Sequence, residues 1–128
     1  MRKAILTMLL AVVSSNAAAA WVELGSNNDS TYYADATSIR RDGDTVKMWS
    51  LLDFRKTRMF ENLPYMSLKA QGEYDCKKEQ LRVFSGTRQS EKMGEGSAVS
   101  SISEPSEWSA VAPGGIGQAF WKFACEKR

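Results

Sequence analysis

Met66-Ser67-Leu68-Lys69-Ala70-Gln71-Gly72-Glu73-Tyr74-Asp75-Cys76 alternates residue by residue between two characters. Met66, Leu68, Ala70, Gly72, Tyr74 and Cys76 share one face, and Ser67, Lys69, Gln71, Glu73 and Asp75 the other. A period of two with one apolar face is the pattern of a half-buried antiparallel strand, here with its cysteine turned into the core. Downstream, Lys77-Lys78-Glu79 turns the chain and Gln80 to Thr87 returns as the next strand. Ala98 to Ser103 pairs with that strand across a loop containing Gly94 and Gly96, and Trp108 to Val111 adds a short extended piece.

Upstream, Thr45 to Phe54 alternates as well. Val46, Met48, Ser50, Leu52 and Phe54 lie on one side, and Lys47, Trp49, Leu51 and Asp53 on the other. Trp49 and Leu51 on the nominally polar side predict a central strand with both faces partly covered. Between these two strands, Arg55 to Pro64 holds mixed charge and a proline and reads as a loop. Arg41-Asp42-Gly43-Asp44 carries the Asp-Gly signal of a tight turn. Earlier still, Trp21 to Leu24 and Thr31 to Ala34 are short strands joined by the polar turn Gly25 to Ser30, and Asp35 to Ile39 forms a bend. The sequon Asn28-Asp29-Ser30 reads as loop chemistry.

After Pro113-Gly114-Gly115 the period becomes that of a helix, from Ile116 to Glu126. At 100° per residue, Ile116, Ala119, Phe120 and Phe123 cluster, Trp121 and Cys125 widen the apolar arc, and Gln118, Lys122 and Glu126 mark a polar stripe. So wide an arc belongs against a sheet. Phe120 and Phe123 are expected on the face carrying Met66, Leu68 and Tyr74. The predicted fold is α+β and mostly β: an antiparallel sheet of about five to six strands with one C-terminal helix packed on one face.

The first residues, Met1-Arg2-Lys3, precede an apolar run from Ala4 to Val13 and small residues up to Ala20. A basic start, a short apolar stretch and an A-x-A ending form a secretory signal peptide, expected to be cleaved before Trp21. Ser14, Ser15 and Asn16 interrupt the run before it reaches the roughly 20 apolar residues of a membrane span. The expected organisation is a signal over residues 1–20 and a single domain over residues 21–128. The product is exported, periplasmic or secreted, with no transmembrane segment. Trp21 stands where a lipid-bearing cysteine would be needed, so no lipid anchor is expected.

Arg2 and Lys3 leave with the signal, which lowers Lys+Arg from 17 to 15, equal to the 15 Asp+Glu. Nucleic-acid binding, which needs a basic excess, is not expected. Both cysteines remain, and an exported chain with two cysteines most simply pairs Cys76 with Cys125. In the chain-entropy model, closing that loop is worth roughly 4 kcal/mol. Such a bond would also tie the helix to the apolar face of the strand ending at Cys76. A zinc site would need four ligands, and with no histidine two thiols fall short.

The absence of histidine also removes Ser-His-Asp and Cys-His nucleophiles, and oxidised cysteines leave no thiol. The carboxylate pairs Asp42/Asp44 and Glu73/Asp75 read as solvated charge. Gly114-Gly115-Ile116-Gly117 lacks the Lys-Ser/Thr of a phosphate loop and a parallel βαβ setting. Tyrosine and methionine can ligate haem iron, but no spacing selects any of them. Lys69, Lys77, Lys78 and Arg82 could gather for an acidic partner, yet Asp75 and Glu79 interleave with them, so a solvated edge is expected. The chain is expected to be no enzyme and to hold no cofactor or metal.

Several segments together carry a family resemblance. Tyr32-Tyr33-Ala34-Asp35 with Ser38-Ile39, Val46-Lys47-Met48-Trp49, and Ser67-Leu68-Lys69 running to Tyr74-Asp75-Cys76 come first. Met93-Gly94-Glu95-Gly96, Trp108 with Val111 and Pro113-Gly114, and a final helix carrying Cys125 follow in order. In this order they resemble the bacterial surface-adhesin protein E-like family over nearly all of residues 21–128. The resemblance implies an antiparallel sheet with a disulfide-tied C-terminal helix. It also implies a non-enzymatic module whose type member binds host matrix and serum proteins. Of the family's residues only the cysteines carry over, as Cys76 and Cys125. The expected partner is therefore another protein, with an envelope-associated structural role, as a homodimer, the alternative.

Overall fold

The computed structural model describes residues 20–126, so the expected signal peptide lies, but for Ala20, outside the described residues. The strands are β1 (Trp21–Ser26), β2 (Ser30–Asp35), β3 (Arg40–Asp42), β4 (Thr45–Phe60), β5 (Leu63–Asp75), β6 (Gln80–Gln89), β7 (Ala98–Ile102) and β8 (Ser109–Ala110). One helix, α1 (Ile116–Cys125), closes the described chain. All pairings are antiparallel, and the main path runs β1-β2-β4-β5-β6-β7. The short β3 and β8 bring the sheet to eight strands, above the expected five to six.

Both extra strands lie end to end with a longer neighbour. β2 covers one stretch of the β4 edge and β3 the next, with a one-turn 3-10 helix (Ala36–Ser38) between them. Asp35 caps that turn by accepting from the Thr37 N–H at 3.0 Å. The Trp49 N–H, which faces the gap, donates to Ser38 Oγ at 2.9 Å, so the bend leaves no ladder donor orphaned there. The outer edge of β6 is covered the same way by β7 and β8. Between them Ser106 takes the Val83 N–H on its hydroxyl at 3.0 Å and gives its own N–H to Val83 O at 2.8 Å.

β4 is central, as its alternation predicts. Val46 and Met48 on the helix side and Leu51 on the other are fully buried. The helix lies over one end of the sheet, with Phe120 and Ala124 packed among Ala34, Val46, Met48 and Tyr74. Phe120 meets Tyr32 edge-on at 6.0 Å between centroids, and Phe123 packs at the margin of this cluster. The helix takes the expected face: Tyr74 lies under it and Leu68 lines the groove beside Phe120, while Met66, farther along β5, lies outside the cluster packed around the helix. α1 is about 15 Å long and is tied to the end of β5. From Asp75, Met66 is about 30 Å down the strand.

The expected loop Arg55 to Pro64 is also corrected. These residues continue β4 and begin β5, joined by a two-residue turn at Glu61-Asn62 between the paired Phe60 and Leu63. Both turn residues have positive φ, 48° and 68°, the geometry of a primed hairpin turn usually announced by Asn-Gly. Glu at the first position hides that signal, and Pro64 is tolerated because a ribbon edge needs no ladder N–H there. The Gly43-Asp44 turn does fall where Asp-Gly predicts it, with Gly43 at φ 65°.

Candidate functional site

Cys76 and Cys125, 49 residues apart in sequence, form a disulfide with S–S 2.04 Å. Beside it the Trp121 indole N–H donates to Asp75 O at 3.0 Å, so covalent and polar ties hold α1 to the end of β5. Tyr74 is buried beneath the helix. Loss of solvent raises its pKa well above the ordinary tyrosine value, and a hydrogen bond with the Ser50 hydroxyl offsets this only in part. Next to Phe120 the same face continues as an open apolar groove of about 120 Å³ lined by Leu52, Leu68, Ala70, Leu81 and Val83.

On the opposite face the residues expected to be solvated are partly enclosed. Ser67 is 0% exposed because the loop between β6 and β7 folds over it. Its hydroxyl donates to Glu91 O at 2.6 Å and accepts from the Gly94 N–H at 2.8 Å. Asp53 accepts from the Met93 N–H at 2.6 Å and pairs with the Lys92 ammonium at 3.2 Å, while Lys92 also donates to Phe54 O at 2.6 Å. Positive φ at Met93, Gly94 and Gly96 lets this loop turn back so tightly. The expectation of solvated charge at Glu73/Asp75 fails for Glu73. It is buried and binds Arg82, its direct cross-strand partner, through Nε and Nη2, each at 2.8 Å.

Beyond this clamp the β4–β5 hairpin leaves the sheet. β2 stops opposite Phe54 and β6 stops opposite Ser67; after a register break in β4 between Asp53 and Arg58, where the Arg55 N–H donates to Asp29 O at 2.9 Å, Arg58, Met59 and Phe60 pair with Tyr65, Pro64 and Leu63. At about 3.3 Å per residue, β5 carries the arm roughly 13 Å past the sheet, from Ser67 to Leu63, and no third strand pairs with its Arg58-to-Tyr65 part among the described residues. A two-stranded ribbon alone is marginal, and here side chains stiffen it. Arg58 lies over the Phe54 ring at 4.1 Å, Phe54 meets Tyr65 edge-on at 5.7 Å, and Arg88 from β6 lies 4.0 Å over Phe60 and 5.7 Å from Tyr65. Each such stack contributes about 0.5–1 kcal/mol at an exposed site. At the root the Arg55 guanidinium donates to Asn27 O at 2.9 and 3.2 Å.

The tip carries the largest apolar exposure of the described residues: Met59 is 61% and Leu63 50% exposed. From Arg55 to Met66 the arm has three basic side chains, Arg55, Lys56 and Arg58, and one acidic, Glu61. Residues 21–128 as a whole are balanced, so this excess is local.

The other residues singled out in the sequence do not converge. Asp42 and Asp44 flank the exposed β3–β4 turn. Lys77 and Lys78 sit on a turn whose N–H groups Asp75 accepts at 3.1 and 2.8 Å, Arg82 is committed to Glu73, and Lys69 lies two residues from Gln71 towards the clamp. The Gly114 N–H is taken by the Gln118 side chain at 2.9 Å, which starts the helix without a phosphate-loop geometry. Among the described residues no three His, Cys, Asp or Glu groups are placed to hold a metal ion. No helix among them is long and apolar enough to cross a membrane. The arm itself was missed in the sequence, because the register shift between Asp53 and Arg58 breaks the alternation before Arg58 and Phe60 meet Tyr65 and Leu63.

One antiparallel sheet, one disulfide-pinned C-terminal helix and a projecting basic and apolar hairpin define a small, mostly β module. The model of the surface-adhesin protein E family matches residues 21–126, and the chain belongs to that family. Its fold is similar to that of the selenomethionine form of Haemophilus influenzae protein E, with a TM-score of 0.66 and 15% identity over 89% of this chain and 92% of that one. A second crystal form of that protein gives 0.64 and 16% over 88% and 91%. Protein E from non-typeable H. influenzae gives 0.57 and 17% over 82% and 74%. No curated protein matches the chain in sequence.

Proposed function

We propose that this chain is an exported, non-enzymatic binding module that uses its hairpin arm to hold another extracellular protein, with host matrix proteins the class the family suggests. The carrying observation is the arm: apolar Met59 and Leu63 held in water, on a ribbon stiffened by three arginine–ring contacts. An exposed apolar patch with a polar rim marks an interaction site more often than it serves stability. Export through a signal at residues 1–20, with residues 21–128 as the working domain, fits an oxidised Cys76–Cys125 pair. A periplasmic or secreted location agrees with both. The lack of histidine supports a role without catalysis, cofactor or metal.

The test is retention of residues 21–128 on immobilised host matrix proteins, with a Met59→Ser/Leu63→Ser variant beside the parent. Retention by the parent and its loss in the variant support the reading. Equal retention by both refutes a role for the arm. The alternative, a structural homodimer, rests on the open edges of β1 and β7, and predicts a stable dimer in sedimentation with no retention.

A further inference from the structure

We propose that the arm selects an acidic, extended polypeptide segment, its carboxylates held by Arg58 and Arg88 on one face of the ribbon and its apolar side chains seated on Met59 on the other. This deepens the reading above and rests on it.

Charge comes first. The arm carries a surplus of positive charge in an otherwise balanced chain, and Arg88 from β6 joins it on the ring-bearing side. The form of that charge matters more. The Arg58 guanidinium carbon stands 4.1 Å over the Phe54 ring centroid, and that of Arg88 4.0 Å over Phe60. Stacking occupies the face of a guanidinium and leaves its N–H edge outward, the edge that grips a carboxylate with two parallel bonds. Arg88 gives one N–H to Ser100 Oγ at 3.0 Å, which fixes its rotation and leaves further donors. Neither is among the ion pairs of the described residues, which join Arg82 to Glu73 and Lys92 to Asp53. Such cations are ordered in advance, so a carboxylate gains both bonds with little further loss of side-chain freedom.

The second observation is the backbone. Among the described residues no third strand pairs with the ribbon between Arg58 and Tyr65, and the edge from Arg58 to Phe60 keeps its backbone groups, whereas at the root the Arg55 N–H is held by Asp29 O and on the other edge Pro64 has no N–H to give. An open edge accepts an added strand, main chain giving affinity and alternate side chains giving choice. In such a strand alternate residues face the arginine side, where Arg58, Phe60, Leu63 and Tyr65 lie. The residues between face Met59 and Pro64, which are paired across the ribbon. Basic residues at an exposed edge also discourage pairing with a second basic arm. A sulfated glycan would use the arginines but has no use for exposed Met59 and Leu63. A polypeptide uses both.

The test uses oxidised residues 21–128 and fluorescein-labelled ten-residue peptides read by anisotropy at neutral pH and low salt. The probe is alternating glutamate and valine, with alternating lysine and valine and a sulfated oligosaccharide as comparators. Expected are saturable binding of the acidic peptide, none of the basic one, and an acidic-peptide affinity at least tenfold lower for Arg58→Ala, Arg88→Lys and Met59→Ser. Arg88→Lys keeps the charge and removes the fork, so its loss separates bidentate capture from general attraction. Melting curves within a few degrees of the parent establish that the variants are folded; any that melts lower is replaced by the parent competed with free arginine. No binding of the acidic peptide overturns the proposal. So does a sulfated oligosaccharide that binds as tightly and ignores Met59→Ser. If matrix proteins are retained through the arm but the acidic peptide is not, this inference fails and the proposed function stands. If retention ignores the arm while the peptide binds, the reverse holds.

Discussion

Replacing Phe120 by Ala tests the docking of the helix, the feature that organises one whole side of the sheet. Phe120 is 8% exposed, packs among Ala34, Val46, Met48, Tyr74 and Ala124, and touches the edge of Tyr32 at 6.0 Å. Buried Phe→Ala substitutions cost about 3–5 kcal/mol, of which an aromatic edge contact supplies about 0.5–1.5. The vacated space would open into the groove beside Leu52, Leu68 and Val83, so water can enter and the void is not sealed. That argues for the lower end, about 3 kcal/mol. For a domain near 100 residues each kcal/mol moves the melting temperature by about 4–8 °C, so a fall of roughly 12 °C or more follows.

Thermal unfolding of oxidised residues 21–128 by circular dichroism is the assay, with Lys122→Ala as the control. Lys122 is exposed on the same helix, and its loss should cost less than about 0.5 kcal/mol. The disulfide keeps the helix near the sheet in both variants, so the comparison isolates packing from tethering. Melting temperatures within about 2 °C of each other would refute the reasoning, because at about 4 °C per kcal/mol no buried ring could be so cheap to remove.

Gly86→Ala should destabilise by about 1–3 kcal/mol, because the new Cβ would stand 2.8 Å from the Lys69 carbonyl oxygen, a backbone atom that cannot swing aside. An unchanged denaturation midpoint would refute it. Tyr74→Phe should flatten the alkaline limb of stability. The folded pKa is raised, so its contribution is complete below about pH 10 and is lost as pH rises from there through the folded value, where the unfolded chain ionises and the native one resists; an unaltered alkaline limb would contradict this. Ser67→Ala removes the acceptor for Gly94 and the donor to Glu91, and should raise amide exchange in Ser90–Ser97 while leaving α1 protected. Equal exchange in parent and variant would mean that the clamp does not hold the loop.

Much of this architecture was legible from side-chain period alone. The alternation of Thr45–Phe54 and Met66–Cys76, the helical spacing after Gly115 and the Asp-Gly turn are local statements, written by which residues seek water. They place most strands, the helix and the cysteines within a few positions of where the structure has them. The two cysteines also carried the tether, since a strand ending in Cys76 and a helix ending in Cys125 leave little choice about what lies on what.

The arm, the clamp and the seat of the helix were decided only by tertiary structure. Arg55–Pro64 looks like a loop because its strand character comes from rings and guanidinium groups that meet across strands, Arg88 reaching Phe60 from β6. The turn at Glu61-Asn62 borrows its positive φ from the ribbon rather than announcing it with glycine. Ser67 and Asp53 read as surface because their partners, Gly94, Glu91, Met93 and Lys92, come from a loop some 24 to 40 residues away in sequence. Likewise the helical wheel shows which face of α1 is apolar, but not which stretch of a long strand it covers. Period reports only whether a side chain leaves water, whereas the identity of its neighbour depends on register between distant segments, which is settled when the whole sheet closes.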